Sequence, residues 1–227
     1  MRRGARILGT LLVVAGAGAL AWAVTVWQWQ DPFTAVLNEL EQRELAGDFE
    51  RSLEAGDARL AANGAGASAA ETVRAAAASW RAATKQGDPI ARLRIPAIGV
   101  EEIVVNGTDT ASLKRGPGRY LGSAMPGEGQ LVYLAGHRTT YGAPFSRIDS
   151  LRKGDRVFLE TPYATFEYAV TGHRIVPATR TSVLRSKGFE QLALQACHPR
   201  FFATQRWIAY AKPVRVIPRG TRRSANT

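Results

Sequence analysis

The sequence predicts a mainly β outer domain, a sandwich or closed barrel of roughly seven or eight short strands, behind an apolar N-terminal helix and an Ala-rich stalk. Three observations lead there. Residues 7–29 carry no charged side chain. Residues 31–88 are rich in Ala and poor in large apolar residues. From Pro89 onward, short apolar or alternating runs recur between dense turn signals, with no long helical pattern separating them. The chain has 227 residues, 45% hydrophobic and 22% charged, which excludes wholesale disorder and a polytopic membrane protein. Thirty basic against 19 acidic residues give a net charge of +11, which favours an anionic partner (membrane surface, wall polymer or nucleic acid) without choosing among them. A single cysteine excludes an intramolecular disulfide and every zinc site that needs two or more thiolates.

The first element is a membrane anchor, residues 1–30. Arg2, Arg3 and Arg6 precede the uncharged run from Ile7 to Trp29. As a helix that run reaches roughly 34 Å, enough to cross a hydrocarbon core of about 30 Å. A cleavable signal has an apolar region of only about 7–15 residues. Ala19-Leu20-Ala21 resembles a cleavage site, but the run continues past it, so an uncleaved anchor is favoured. Trp22, Trp27 and Trp29 cluster toward the far end, where indoles prefer the interface. The basic residues keep the N-terminus cytoplasmic and place the remainder outside.

The second element, residues 31–88, reads as a spacer. Asp31-Pro32 is a helix start, and Phe33, Val36, Leu37, Leu40 and Leu45 recur at helical spacing. Ala61 to Ala70 is a small-residue stretch expected to be flexible, and a second Ala-rich helix is expected from Glu71 to Ala83, ended by Gly87-Asp88-Pro89.

The third element is the β domain, residues 89–218. Expected strands are Ile90–Ile95, which alternates apolar residues with Arg, then Val100–Val105, Leu131–Ala135, Arg156–Glu160, Thr165–Val170, His173–Val176, Gln191–Ala196 and Arg206–Val216. Short helices are expected at Thr110–Lys114 and Pro144–Leu151. Residues 219–227, with Arg219, Arg222 and Arg223, read as a disordered, solvated basic tail.

Cys197 comes at the end of one expected strand, and His137 just after another, behind Gly136. Reactive groups often sit where a strand gives way to a loop. If the strand starting at Arg206 pairs antiparallel with Gln191–Ala196, Arg206 returns to the neighbourhood of Cys197. The three residue types suit thiol acyl transfer. An imidazolium favours the thiolate and protonates a leaving amine; a guanidinium stays charged and donates to an oxyanion. Spacing alone leaves this open against an inert buried cysteine and a solvated arginine.

Three blocks narrow the choice. They are Gly116-Pro117-Gly118-Arg119-Tyr120 with Ala124-Met125-Pro126-Gly127-Glu128-Gly129, then Ala135-Gly136-His137-Arg138-Thr139-Thr140-Tyr141-Gly142-Ala143-Pro144-Phe145, then Cys197-His198-Pro199 with Arg206 nine positions after the cysteine. In this order they resemble the sortases, cysteine transpeptidases of Gram-positive cell surfaces, and look most like the actinobacterial class E. The resemblance covers about Ile90 to Pro218. It implies a closed sortase-type barrel of about eight strands, with Cys197 as nucleophile, His137 as acid and base, and Arg206 on the oxyanion. It also implies substrate contacts at Tyr120, Thr139, Tyr141, Ala196 and His198. The implied reaction cleaves a C-terminal Leu-Ala-x-Thr-Gly or Leu-Pro-x-Thr-Gly-like signal between Thr and Gly. The acyl group of a surface protein then passes to an amine of a peptidoglycan precursor or a pilin, with no cofactor. One departure stands out: the family's strand usually reads Thr-Leu-x-Thr-Cys, whereas here it is Ala193-Leu194-Gln195-Ala196-Cys197.

Other readings weigh less. A metal site on His137, His173, His198 and Cys197 lacks ligand spacing, and no acidic cluster argues for calcium. Asn106-Gly107-Thr108 fits a glycosylation sequon but reads as a turn. The outside location disfavours nucleic acid. The runner-up is a catalytically impaired, sortase-like wall-binding or scaffold module, with Ala193 and Ala196 as signs of decay.

Overall fold

The computed structural model describes residues 2–29, 32–62 and 68–220. Helix α1 (Arg2–Trp29) contains an apolar stretch, Arg3–Val24, that is long enough to cross a membrane and is wholly uncovered by the rest of the chain. Helices α2 (Pro32–Ala62) and α3 (Ala69–Ala83) follow.

The strands are β1 (Pro89–Ile95), β2 (Val100–Asn106), β3 (Gly118–Arg119), β4 (Leu131–Ala135), β5 (Arg156–Glu160), β6 (Ala164–Pro177), β7 (Gln191–His198) and β8 (Gln205–Pro218), with the short helix α4 (Thr110–Arg115) between β2 and β3. They close into a barrel in the order β1-β2-β3-β4-β7-β8-β6-β5. The β2–β3 and β4–β7 pairs are parallel and the rest antiparallel. Closure leaves no continuous open edge.

Alternation decides which way each strand faces. On β1, Leu93 and Ile95 are fully buried, while Arg92 and Arg94 point outward, Arg92 to Glu160 at 3.0 Å and Arg94 over the Phe158 ring at 4.9 Å. Leu93, Val104, Val132, Leu134, Leu159, Phe166, Leu192 and Leu194 fill the barrel. Truncating a buried Phe such as Phe166 to Ala would cost about 3–5 kcal/mol. Tyr168 is fully buried and its hydroxyl donates to Glu190 Oε1 at 2.7 Å. The same carboxylate accepts from the Gly127 and Gly129 amides at 3.1 and 3.2 Å, tying down that turn.

Several expectations are corrected. The two runs expected as separate strands, Thr165–Val170 and His173–Val176, form one strand, β6. Its register shifts between Val170 and Gly172, and this bulge bends the strand without ending it. The helix expected at Pro144–Leu151 is only a 3-10 turn at Ile148–Ser150. Phe145, Ile148 and Leu151 are all buried at intervals of three, the period of a 3-10 turn rather than an α-helix.

The stretch read as a spacer lies against the barrel. Leu45, Phe49 and Leu53 of α2 are buried on Ile103 and Val105 of β2. Val36, Leu37 and Leu40, expected on the apolar face, are about 60% exposed, and the buried residue beside them is Asn38. Gln42 explains the choice of face. Its side-chain amide accepts from the Ile103 amide at 2.6 Å and donates to the Ile103 carbonyl at 3.1 Å, acting as a one-residue partner strand for β2. Helix α3 opens with a Ser68–Glu71 capping box, and its small Ala77 allows close approach to the core, beside Val73 and Trp80. Residues 63–67 of the expected flexible stretch lie outside the described residues, as do Arg222 and Arg223. Arg219 is not a solvated tail residue: its guanidinium pairs with Glu160 at 2.9 Å.

Candidate active site

The barrel brings Cys197, His137 and Arg206 to one end of three adjacent strands. Cys197 is the penultimate residue of β7, inside the strand rather than after it. Its Cα partner across the β7–β8 pair is Arg206. Directly opposed residues in an antiparallel pair share a face, with Cβ atoms about 5 Å apart. On the other side of β7, parallel pairing with β4 ends at Ala135 opposite Gln195, and the Gly136 amide still donates to the Gln195 carbonyl at 2.9 Å. His137 stands two residues past the end of β4, as Cys197 stands two residues past Gln195 on β7.

Period-two alternation also fixes the face. Ala193 lies in an apolar cluster on the outside of the barrel with Leu131, Tyr133, Val176 and Ile208. Gln195 and Cys197 continue that face. Tyr120, Tyr210, Val183 and Leu184 border the same cluster, the last two from the β6–β7 connection. An extended apolar floor therefore runs along β4, β7 and β8 toward the thiol.

Each group is held. One Arg206 nitrogen, Nη1, donates to the Ala203 and Gln205 carbonyls at 2.7 and 2.9 Å. A guanidinium carries five donors, so this anchoring leaves donors for an anion. The Cys197 thiol is free and half-buried. His137 is half-buried, its Nε2 is buried without a protein partner, and burial lowers its pKa from the ordinary 6.5. Its ring meets that of Tyr141 at 5.1 Å between centroids. Gly136 is required by close approach: a Cβ there would sit 2.6 Å from the Phe145 ring.

The remaining expected contacts divide. Tyr120 borders the apolar floor, and Thr139 and Tyr141 lie on the loop that follows His137. Ala196 is fully buried with its methyl in the barrel core, so only its backbone can face a substrate. His198 is turned to the opposite face from Cys197, where its ring meets Trp207 at 5.6 Å and Nδ1 lies 3.0 Å from Arg138 Nη1. A direct substrate contact from the His198 ring is therefore not what this geometry offers. His173 is exposed and stacks on Trp207 at 4.1 Å.

Arg138 escaped the sequence reading, although it lies within the longest recognisable block. It is 4% exposed and joins three elements. Nη1 donates to the Cys197 carbonyl at 3.3 Å, and Nη2 pairs with Asp149 at 2.5 Å. Asn106 accepts from Arg119 at 2.8 and 3.0 Å and is buried, so its sequon is inaccessible in the fold. Among the described residues, no cluster of three or more His, Cys, Asp or Glu side chains could hold a metal.

The sequence and the fold have known relatives. Residues 93–214 match the sortase domain family. The chain is 36% identical to sortase D of Bacillus subtilis over 141 residues, covering 60% of this chain and 69% of that one. It is 33% identical to sortase SrtE1 of Streptomyces coelicolor over 151 residues, covering 59% of this chain and 42% of that one. Among solved structures, sortase E from Streptomyces avermitilis superposes with a TM-score of 0.54 at 32% identity, covering 60% of this chain and 93% of that one.

Proposed function

The chain belongs to the sortase family and is a cysteine transpeptidase; from that premise we propose that Cys197, His137 and Arg206 are its catalytic residues. The observation that carries the proposal is the direct Cα pairing of Cys197 with Arg206, with His137 two residues past the end of the neighbouring strand β4.

In this mechanism His137, kept neutral by burial, takes the Cys197 thiol proton, and the thiolate attacks the threonine carbonyl of a sorting signal lying along the β4–β7 floor. Arg206 donates to the oxyanion that forms. The threonine–glycine C–N bond breaks, and the imidazolium of His137 gives its proton to the departing glycine amine, leaving a thioester on Cys197. The now neutral His137 takes a proton from the incoming amine as it attacks. The C–S bond breaks, the thiolate is restored and a new amide leaves. No cofactor enters the balance.

We assign the chain to class E, with a Leu-Ala-x-Thr-Gly-like signal on secreted surface proteins. The acceptor is a peptidoglycan-precursor amine or a pilin amine. Residues 1–30 anchor the protein with a cytoplasmic N-terminus, residues 31–88 connect, and residues 89–218 form the extracellular catalytic barrel. What supports the anchor is the uncovered apolar helix, together with the basic residues before it.

The test incubates the full chain with a Leu-Ala-x-Thr-Gly peptide and an amine. The expected result is an intact-mass shift on Cys197, lost to hydroxylamine and absent in Cys197→Ala. Peptide binding without an adduct would instead make the chain a scaffold.

A further inference from the structure

We propose that helix α2, the first element after the apolar helix, is part of the reaction site: Thr34 and Asn38 hold the 138–145 loop so that the Tyr141 ring fixes the His137 imidazole. The proposal rests on the role given to His137 above.

The loop needs an outside support. Tyr141, Gly142 and Ala143 have φ values of 51°, 69° and 42°, three successive residues in the left-handed region. Only the middle one is glycine. A non-glycine residue held there costs about 1–3 kcal/mol and persists only where its neighbours over-determine it. Those neighbours belong to α2. The Tyr141 amide donates to Thr34 Oγ1 at 3.0 Å. Gly142 lies so close to Asn38 that a Cβ would stand 2.3 Å from Asn38 Oδ1. Asn38 is 4% exposed, and its Nδ2 donates to the Lys114 and Arg115 carbonyls at 3.0 and 3.1 Å, which fixes the amide in place. Lys114 also approaches the Tyr141 ring, its Nζ 5.6 Å from the centroid. The same ring meets the His137 imidazole at 5.1 Å between centroids.

A helix that merely docked would use apolar contacts throughout, as α2 does at Leu45, Phe49 and Leu53. Near the site it changes to Thr34, Asn38 and Gln42, spaced by four and directed at backbone groups of other segments. The polar stripe sets loop geometry, and the apolar stripe supplies adhesion. A 1 Å displacement of a catalytic group can cost as much as a hundredfold in rate, so a loosened imidazole lowers the rate when the stripe is lost.

The test uses the full chain in lipid nanodiscs and compares wild type with Asn38→Ala, Thr34→Val, Thr34→Ser and Phe49→Ala. The last loosens α2 at a distance from the loop. Asn38→Ala and Thr34→Val are expected to lower kcat roughly tenfold, with the peptide KM changed less than about twofold. Both should speed amide exchange in residues 138–145. Thr34→Ser keeps the hydroxyl and should keep the rate. Phe49→Ala should lower Tm yet leave kcat unchanged well below that temperature. Full kcat in both Asn38→Ala and Thr34→Val overturns the proposal, as does an equal kcat loss in Phe49→Ala. If wild type forms no thioacyl adduct, the reading of Cys197 and His137 fails by itself; unchanged exchange in 138–145 then overturns the clamp as well.

Discussion

Cys197 and Arg206 are direct cross-strand partners, the penultimate residue of β7 facing the second residue of β8. The eight residues between them in sequence turn the chain back on itself, and two of their carbonyls, at Ala203 and Gln205, hold the guanidinium. A cation anchored in this way is already oriented before any substrate arrives, which is what electrostatic stabilisation of an oxyanion requires.

Arg206→Ala is therefore expected to lower kcat for peptide cleavage by about 10²–10³, the cost of removing one oxyanion donor. Arg206→Lys should recover little, since an ammonium cannot reproduce a planar fork that bonds the loop and an anion together. Thioacyl formation followed by mass spectrometry in a rapid-quench experiment checks both variants. A wild-type rate in Arg206→Ala would remove Arg206 from the mechanism.

The pH dependence follows from His137. Burial disfavours its charged form, so in the folded chain it gives up its proton below 6.5. Between that lower value and 6.5 the unfolded chain binds more protons, so stability rises with pH across the window and falls as the pH drops through it. Above the window His137 makes no pH-dependent contribution. The imidazole resonance that disappears in His137→Asn should titrate below 6.5 by NMR. The urea-unfolding free energy of His137→Asn should fall less than that of wild type between pH 7.5 and pH 5. A midpoint above 6.5 would reverse the sign.

The sequence carried the barrel because apolar alternation on β1 and the apolar runs of β4 and β7 are local signals. It carried the Cys197–Arg206 meeting because a short antiparallel turn joins them. Contacts between distant segments were not legible. Asn38 and Gln42 look like solvent-facing residues in a helix, and only the carbonyls of Arg115 and Ile103, more than 60 residues away, make that face the buried one. Arg138 was hidden for the same reason: its partners Asp149 and Cys197 come from two other segments.

Ala196 offers a sharper test than its absence of a hydroxyl first implies. Its methyl points into the barrel with Leu192 and Leu194, at 0% exposure. Restoring the threonine usual in the family adds a methyl and a hydroxyl to a filled core, a cost of about 1–3 kcal/mol. Ala196→Thr should therefore lower Tm with no gain in thioacyl formation. Thermal unfolding and the adduct assay check this together, and a variant that is both as stable and faster would show room at this position for the hydroxyl.

The last prediction concerns which face of α2 matters. The helix carries two sets of large apolar residues, and only one touches the barrel. Phe49 is fully buried against Ile103 and Val105, whereas Leu40 is 58% exposed. Phe49→Ala should therefore destabilise the folded chain by about 3–5 kcal/mol, the usual range for a buried aromatic. Leu40→Ala should change stability by no more than about 0.5 kcal/mol. A free spacer would show neither effect, because a helix that covers nothing cannot support the barrel through its side chains. Urea unfolding of the full chain in nanodiscs, monitored on barrel tryptophan Trp207, separates the two outcomes. Equal and negligible changes would mean that α2 stands off the barrel in solution, and the contacts of Asn38 and Gln42 would fall with it.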